Sequence, residues 1–152
     1  MERITYNELP DGLYAALKNV QDYIDNCGLD LKTLELMRIR VSQINGCAYC
    51  LDMHSKDAIH AGETIQRLIS VSAWREAPYY SLKEQAVLAF AERLTWMKEG
   101  ENNEDLHDEL SQHFTKQEIA NLTLAVIQIN SWNRFVKSFG PEVGKYQVPA
   151  KH

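Results

Sequence analysis

QINGCAYCLDMH, residues 43–54, is the stretch around which the rest of the chain is organised. It contains two of the three cysteines, a histidine, and a helix break just before them. Because an α-helix turns by about 100° per residue, Cys47, Cys50 and His54 fall within an arc of about 60° on one helix face. This spacing is typical of a redox site.

The residues of this stretch predict a specific local chemistry. Asn45 and Gly46 predict a boundary between two helices, since both tolerate the left-handed conformation that ends a helix. We expect Cys47 in the first turn of the next helix, where unpaired N–H groups and the helix dipole stabilise a thiolate. His54 follows Cys50 by one turn, near enough to exchange a proton directly or through a water. Cys50 thus has a candidate base, and Cys47 is its candidate disulfide partner.

Length and composition set the class of protein. A chain of 152 residues suits a single domain over residues 1–152 with a proper core. A net charge of −5, with no Lys/Arg cluster, argues against nucleic acid or an anionic membrane as partner. The opening MERITYNELPDG has neither a basic region nor an apolar core, and no apolar run approaches the length of a membrane span. We therefore expect a cytoplasmic protein, in which C-x-x-C is catalytic or metal-binding.

The apolar periodicity predicts an all-α bundle of six to seven helices. No stretch shows sustained alternation of apolar and polar residues, so no strands are expected. Pro10 suits the first position of the first helix, and the patterns S81-LKE and T115-KQE are capping boxes that open two longer helices. In chain order, the predicted helices cover residues 10–27, 31–44, 47–61, 63–73, 81–100, 103–113 and 115–139.

Two of these helices carry polar residues among apolar neighbours. Glu35 lies in the helix over 31–44, where a carboxylate is costly unless it is paired or has a function; its ordinary partner would be Arg38, at i+3, or an arginine from another helix. The helix over 115–139 is apolar on nearly every side, which predicts both a central position and a contact with another subunit. Within it, we expect Asn130 and Asn133 to hydrogen-bond across an interface, with no catalytic role.

The segment ELMRIRVSQINGCAYCLDMH, residues 35–54, carries a family resemblance. Glu35, Cys47, Cys50 and His54 at this spacing resemble the core of the AhpD-like alkylhydroperoxidases, in the carboxymuconolactone decarboxylase superfamily. The similarity extends over about residues 31–95. It implies an all-helical fold assembled as a homo-oligomer, a trimer or a hexamer. It also implies a peroxidase that reduces hydrogen peroxide or organic hydroperoxides.

The resemblance also implies a role for each site residue. Cys50 attacks the peroxide as a thiolate and becomes a sulfenic acid, and Cys47 then condenses with it to a disulfide, releasing water. Glu35 and His54 match the proton-relay positions. Turnover needs an external dithiol reductant, a lipoyl-type or thioredoxin-like carrier, and neither a bound cofactor nor a metal is expected.

One position departs from the family pattern, and three alternatives stay open. Better-known members have a histidine between the two cysteines, where this chain has Ala48 and Tyr49, so one relay element is missing. The same dithiol fits a redox-responsive binding or regulatory protein. A decarboxylase-type enzyme acting on a lactone or a related acid is a second alternative. The third is a zinc site completed by Cys27, His54 or His60.

Overall fold

The computed structural model describes residues 2–149, which form seven α-helices and two short 3₁₀ turns. No residue in this range belongs to a strand, so the predicted all-α fold is confirmed. The helices are α1 (Leu13–Asp25), α2 (Leu31–Ile44), α3 (Ala48–His60), α4 (Ile65–Ser70), α5 (Leu82–Trp96), α6 (Glu104–Leu110) and α7 (Lys116–Phe139). The 3₁₀ turns are Tyr6–Glu8 and Val71–Ala73.

The ends of α2, α5 and α7 show how local sequence fixes the helices. The predicted bounds of α2 are confirmed, and Asp30 caps it by accepting a hydrogen bond from the backbone N–H of Thr33. Both predicted capping boxes form, at the starts of α5 and α7. Gly140 ends α7 in the left-handed conformation, with φ of 74°.

Several predicted helix bounds are wrong, among them the end of α6, which lies at Leu110 and not at His113. The first helix begins at Leu13 rather than Pro10, because Gly12 is left-handed (φ 82°) and cannot be part of a helix. α5 ends at Trp96 instead of continuing towards residue 100, because Met97 adopts the left-handed conformation with φ of 44°. The stretch 63–73 divides into α4 and the second 3₁₀ turn instead of forming one helix.

α2 lies at the centre of the fold and belongs to both apolar clusters. It packs against α3, α5 and α7. Met37 joins a cluster with residues of α1, α5, α6 and α7, whereas Leu36, on another side of the helix, joins one with residues of α3, α4 and α5. Glu35 and Arg38 are also buried, with 2% and 4% of their surfaces exposed. Burial of α2 on more than one side, as predicted, places these charges inside the protein.

α7 is the longest helix and packs against α1, α2, α3 and α5. The two asparagines that we expected to hydrogen-bond across an interface bond within the chain instead. The Asn45 side-chain nitrogen donates to the side-chain oxygens of Asn130 and Asn133, at 3.0 and 2.9 Å. Among the helices of residues 2–149, none is both long and apolar enough to cross a membrane.

Candidate active site

A cavity of about 660 Å³ lies between α1, α2, α3 and α7, and both ends of the described chain contribute to its wall. We call it the chamber. Three of the four predicted site residues, Glu35, Cys50 and His54, line it. Cys47 does not line the chamber, but its sulfur lies 2.8 Å from that of Cys50. The structure therefore brings all four residues to one place, and of the two cysteines it is Cys50 that lines the chamber.

The turn between α2 and α3 places the two cysteines. Gly46 is left-handed (φ 60°), and the backbone N–H of Cys47 donates to the carbonyl oxygen of Ser42 at 2.9 Å. Cys47 is consequently the N-cap residue of α3, in an extended conformation, and not part of its first turn as expected. Cys50 lies in that turn. Both are free thiols, each with 1% of its surface exposed.

The two thiols titrate as a pair. Their mutual hydrogen bond lowers the pKa of Cys47 to about 7, because a thiolate there is stabilised by the neighbouring S–H. The same contact, together with burial, raises the pKa of Cys50, since a second negative charge would sit beside the first. Between the pKa of Cys47 and the higher pKa of Cys50, the pair thus holds one negative charge and one proton. The charge favours Cys47, the reverse of what the role expected for Cys50 requires.

Two residues of α7 support the ionised pair. After the contact with Cys50, the positive charge of Lys137 and the side chain of Asn133 also lower the pKa of Cys47. Lys137 Nζ donates to the carbonyl oxygen of Asn45 at 2.7 Å, next to the turn that carries the cysteines. The Asn133 side chain is fully buried, donates from Nδ2 to Ser42 Oγ at 3.0 Å, and also lowers the pKa of Cys50. Sequence reasoning missed this role, because nothing in the periodicity of α7 shows which buried amide acts on a thiol.

A buried chain of charges connects α1, α2 and α3. Glu35 Oε2 accepts from His54 Nδ1 at 2.7 Å, and its Oε1 accepts from Arg38 Nη1 at 2.6 Å. Arg38 Nη2 donates in turn to Asp25 at 2.9 Å. Burial opposes ionisation of Glu35, but His54 and Arg38 outweigh it and lower its pKa. Glu35 therefore stays a carboxylate and fixes His54 with Nδ1 as the donor, leaving Nε2 to transfer protons.

The C-terminal segment is attached to α3 by two hydrogen bonds of Tyr146. The hydroxyl of Tyr146 donates to Asp57 Oδ1 at 2.8 Å, and Lys56 Nζ donates to the carbonyl oxygen of Tyr146 at 3.0 Å. Burial raises the pKa of Asp57, and this effect outweighs the opposing effect of the hydrogen bond from Tyr146. The segment after α7 is thereby attached to α3 and adds Tyr146 to the chamber wall.

The arrangement of possible metal ligands does not match the zinc alternative. Within residues 2–149, the ligand atoms that lie within 4.8 Å of one another belong to Glu35, His54 and Asp57, and neither cysteine is among them. Both carboxylate oxygens of Glu35 are already engaged by Arg38 and His54. A zinc site that joins the cysteines to Cys27, His54 or His60 is therefore not formed.

Comparison with known proteins places this geometry in a family. Residues 11–93, which contain all four site residues, match the model of the carboxymuconolactone decarboxylase family. The chain belongs to the carboxymuconolactone decarboxylase family. The uncharacterized protein YdfG of Bacillus subtilis is 36% identical over 140 residues, which cover 91% of this chain and 95% of YdfG.

Within this family, the chain is an AhpD-like member. The alkyl hydroperoxide reductase AhpD of Streptomyces coelicolor is 44% identical over 69 residues, which cover 43% of this chain and 39% of that protein. A structure from Agrobacterium tumefaciens, of a protein of unknown function described as a candidate AhpD antioxidant defence protein, superposes with a TM-score of 0.89. It is 33% identical and covers 96% of this chain and 100% of its own. The predicted AhpD-like fold is confirmed.

The apolar wall of the chamber was not predicted from the sequence. Trp132, Phe135 and Phe139 of α7 line it together with Tyr14 of α1. The positions 132, 135 and 139 share one helix face, a signal that the sequence does contain. It was obscured because α7 is apolar on nearly every side, so no single face stands out.

Proposed function

We propose that this protein is a thiol-dependent peroxidase that reduces hydroperoxides through a dithiol-disulfide cycle. The observation that carries the proposal is the position of Cys50, which faces the chamber, touches Cys47 and shares the chamber with the Glu35–His54 pair. A peroxidase of this kind needs a thiolate at the substrate, a second thiol in contact with it, and a proton donor for the leaving oxygen. In support of the proposal, the site has a thiol at the chamber, a second thiol in contact with it that ionises more readily, and His54 as the candidate proton donor.

In the first step, the Cys50 thiolate attacks the terminal oxygen of the hydroperoxide. The S–O bond forms, the O–O bond breaks, and Cys50 becomes a sulfenic acid. The leaving alkoxide takes a proton from His54 and departs as an alcohol, or as water when the substrate is hydrogen peroxide. His54 obtains this proton from the thiol pair when the pair ionises, and Glu35 stabilises the imidazolium in between.

The shared proton reconciles this step with the ionisation of the pair. The pair holds one proton, and the charge rests preferentially on Cys47. Transfer of that proton from Cys50 to Cys47, across 2.8 Å, places the thiolate at the chamber. Cys47 then holds the proton that the second step needs. Its thiol attacks the sulfenic sulfur, the disulfide forms, and the hydroxyl leaves with that proton as water.

Regeneration requires an external reductant. We infer that a dithiol of lipoyl type or on a thioredoxin-like carrier attacks the disulfide, passes through a mixed disulfide, and leaves oxidised while Cys47 and Cys50 return to thiols. We also infer a homo-oligomer, a trimer or a hexamer, from the family resemblance; light scattering of the purified protein tests this.

One observation weighs against the decarboxylase-type alternative. A cation is the natural partner of a substrate carboxylate; the Lys and Arg side chains that line the chamber are Lys18, which is exposed and pairs with Asp22, and Arg38, which is buried. Its guanidinium already binds Glu35 and Asp25, so binding a substrate would require breaking a buried ion pair. The regulatory alternative predicts a large change in assembly or partner binding between the dithiol and disulfide forms, with negligible turnover of peroxide.

Single cysteine variants test the proposed function. Cys50→Ser is expected to abolish peroxide consumption. Cys47→Ser is expected to allow one turnover and to accumulate a sulfenic acid that dimedone traps at Cys50. Cys27→Ser is the matched control, because Cys27 lies at the end of α1, outside the chamber, and it should leave turnover unchanged. Full multiple turnover in both Cys50→Ser and Cys47→Ser would refute the mechanism.

A further inference from the structure

The wall of the chamber is unusually aromatic for this chain. The chain has 7 Tyr, 4 Phe and 3 Trp, and half of them line this one cavity. They come from the N-terminal segment, α1, α3, α7 and the C-terminal segment. These residues are Tyr6, Tyr14, Tyr49, Trp132, Phe135, Phe139 and Tyr146. Such a concentration from five parts of the chain exceeds what closing a core requires.

Five of these rings form a continuous ladder in which neighbours meet edge to face or tilted. The ring centroids are 5.0 Å apart between Tyr6 and Tyr14, 5.9 Å between Tyr14 and Trp132, and 5.7 Å between Trp132 and Phe135. Phe135 and Phe139 follow at 4.1 Å. Because each ring rests on the next, the ladder is held in place before any ligand arrives.

The ladder is open to solvent at one end. Tyr6 is 65% exposed and Tyr14 36% exposed, whereas Trp132 and Phe135 are half-buried. The N-terminal segment that carries Tyr6 is fixed to the end of α7, where the backbone N–H of Arg3 donates to the carbonyl oxygen of Phe139 at 2.7 Å. The exposed rings thus form the entrance to the chamber, and the ladder continues from there along the chamber wall.

Five polar side chains of the chamber, those of Glu35, Arg38, His54, Asp57 and Tyr146, hydrogen-bond to one another. Glu35 is bound to His54 and Arg38, and Asp57 is bound to Tyr146. A ligand therefore gains contact with the ladder and with the Cys50 sulfur, and few new hydrogen bonds. A cavity of this size accommodates an organic molecule far larger than hydrogen peroxide, which has no apolar surface to bury.

We propose that the aromatic ladder is a binding site for substrates that carry an aromatic ring. Hydroperoxides with such a ring are therefore preferred to hydrogen peroxide and to aliphatic hydroperoxides. The proposal rests on the peroxidase function and names its substrate class. The ring of the substrate stacks on Trp132 and Phe135 and directs the peroxide group to Cys50. Stacking on two rings gives a preference of about tenfold over a saturated ring of the same size.

Binding of an unreactive product analogue tests the site without requiring any turnover. The probe is 2-phenylpropan-2-ol, the alcohol formed from cumene hydroperoxide, and 2-cyclohexylpropan-2-ol is its saturated match. Both are titrated into the reduced protein while the three indole N–H signals are followed by NMR. The Trp132 signal reports on the chamber. Trp74, whose indole N–H donates a hydrogen bond to Glu92, and the exposed Trp96 serve as internal references.

We expect the phenyl alcohol to shift the Trp132 signal alone and to bind about tenfold more tightly than the cyclohexyl alcohol. Phe135→Leu removes one of the two rings and should reduce this preference to about threefold, whereas Trp96→Leu, a matched loss of an aromatic ring outside the chamber, should leave it unchanged. Equal affinity for both alcohols, or no shift of Trp132, would overturn the proposal.

Kinetics separate this proposal from the peroxidase function. With cumene hydroperoxide, Phe135→Leu should raise KM about threefold with little change in kcat, whereas Trp96→Leu should change neither. If phenyl-selective binding is found but no peroxide is reduced, the peroxidase function fails and the site stands. If peroxides are reduced without preference for substrates with an aromatic ring, the peroxidase function is supported and the aromatic binding site is refuted.

Discussion

His54 Nδ1 lies 2.7 Å from Glu35 Oε2, and this contact joins α3 to α2 inside the protein. The carboxylate orients the imidazole so that its other nitrogen is available for proton transfer at the chamber. It also pairs with Arg38, so one buried carboxylate contributes both to stability and to the proposed catalysis. Substitutions can separate these two contributions.

Glu35→Gln should reduce peroxide turnover by about 100-fold, because a neutral amide no longer stabilises the imidazolium of His54. It should also lower the free energy of unfolding by about 2 kcal/mol, since Arg38 loses a charged partner in the interior. Steady-state kinetics and urea unfolding measure the two effects.

Glu92→Gln is the matched control for this prediction. Glu92 is equally buried and pairs with Arg40 and Arg75, but it does not line the chamber. Its substitution should cost a similar free energy of unfolding and leave turnover at the wild-type level. Equal losses of activity in the two variants would show that Glu35 acts only through stability.

The pH dependence of stability should reveal the ionised Glu35. Its pKa in the folded protein is lowered from 4.5, so its ionisation contributes stability above about pH 4.5, and this contribution is lost as the pH falls through the lowered value. The difference in unfolding free energy between the wild type and Glu35→Gln should be full at pH 7 and should shrink below pH 4.5. A difference that stays constant from pH 7 to pH 3 would contradict a carboxylate at this position.

The thiol pair should ionise in the neutral range. The absorbance of reduced protein at 240 nm, which reports thiolate, should rise with a midpoint near 7 as Cys47 loses its proton. Cys50→Ala removes the hydrogen bond that lowers this pKa, so the midpoint should move up towards 9.0, the ordinary value. An unchanged midpoint in Cys50→Ala would assign the low pKa to some other cause.

Asn133→Ala should raise the pKa of the pair, because the buried Asn133 side chain lowers the pKa of each thiol. Reactivity with iodoacetamide at pH 7 should fall accordingly. Asn130→Ala is its control: Asn130 also accepts a hydrogen bond from Asn45, but its amide donates to Thr95. Both variants should lose about 1–2 kcal/mol of stability, and only Asn133→Ala should change the thiol titration.

Much of the fold could be predicted because local signals are strong where helices begin and end. The capping boxes at Ser81 and Thr115 and the break at Gly46 fix three helix boundaries by short-range hydrogen bonds and backbone conformation. The wrong boundaries arose at Gly12 and Met97, where the chain turns left-handed under constraints that apolar periodicity does not report.

The four site residues could be proposed from their spacing, but their energetics could not. Glu35 and His54 are 19 residues apart in sequence, and only the packing of α2 on α3 brings their side chains within 2.7 Å. The ionisation of the thiol pair depends first on the contact between the two cysteines and then on Lys137 and Asn133, which lie on α7, far along the chain. Such effects follow from tertiary contacts, which a sequence pattern does not contain.

The most direct test of the account is a titration of reduced, metal-free protein with cumene hydroperoxide, in which free thiols are counted and disulfides are mapped by mass spectrometry. The proposed dithiol-disulfide mechanism predicts the loss of two thiols per chain and a disulfide bridge between Cys47 and Cys50, with Cys27 still reduced. Three unchanged thiols, or a bridge that includes Cys27, would contradict it.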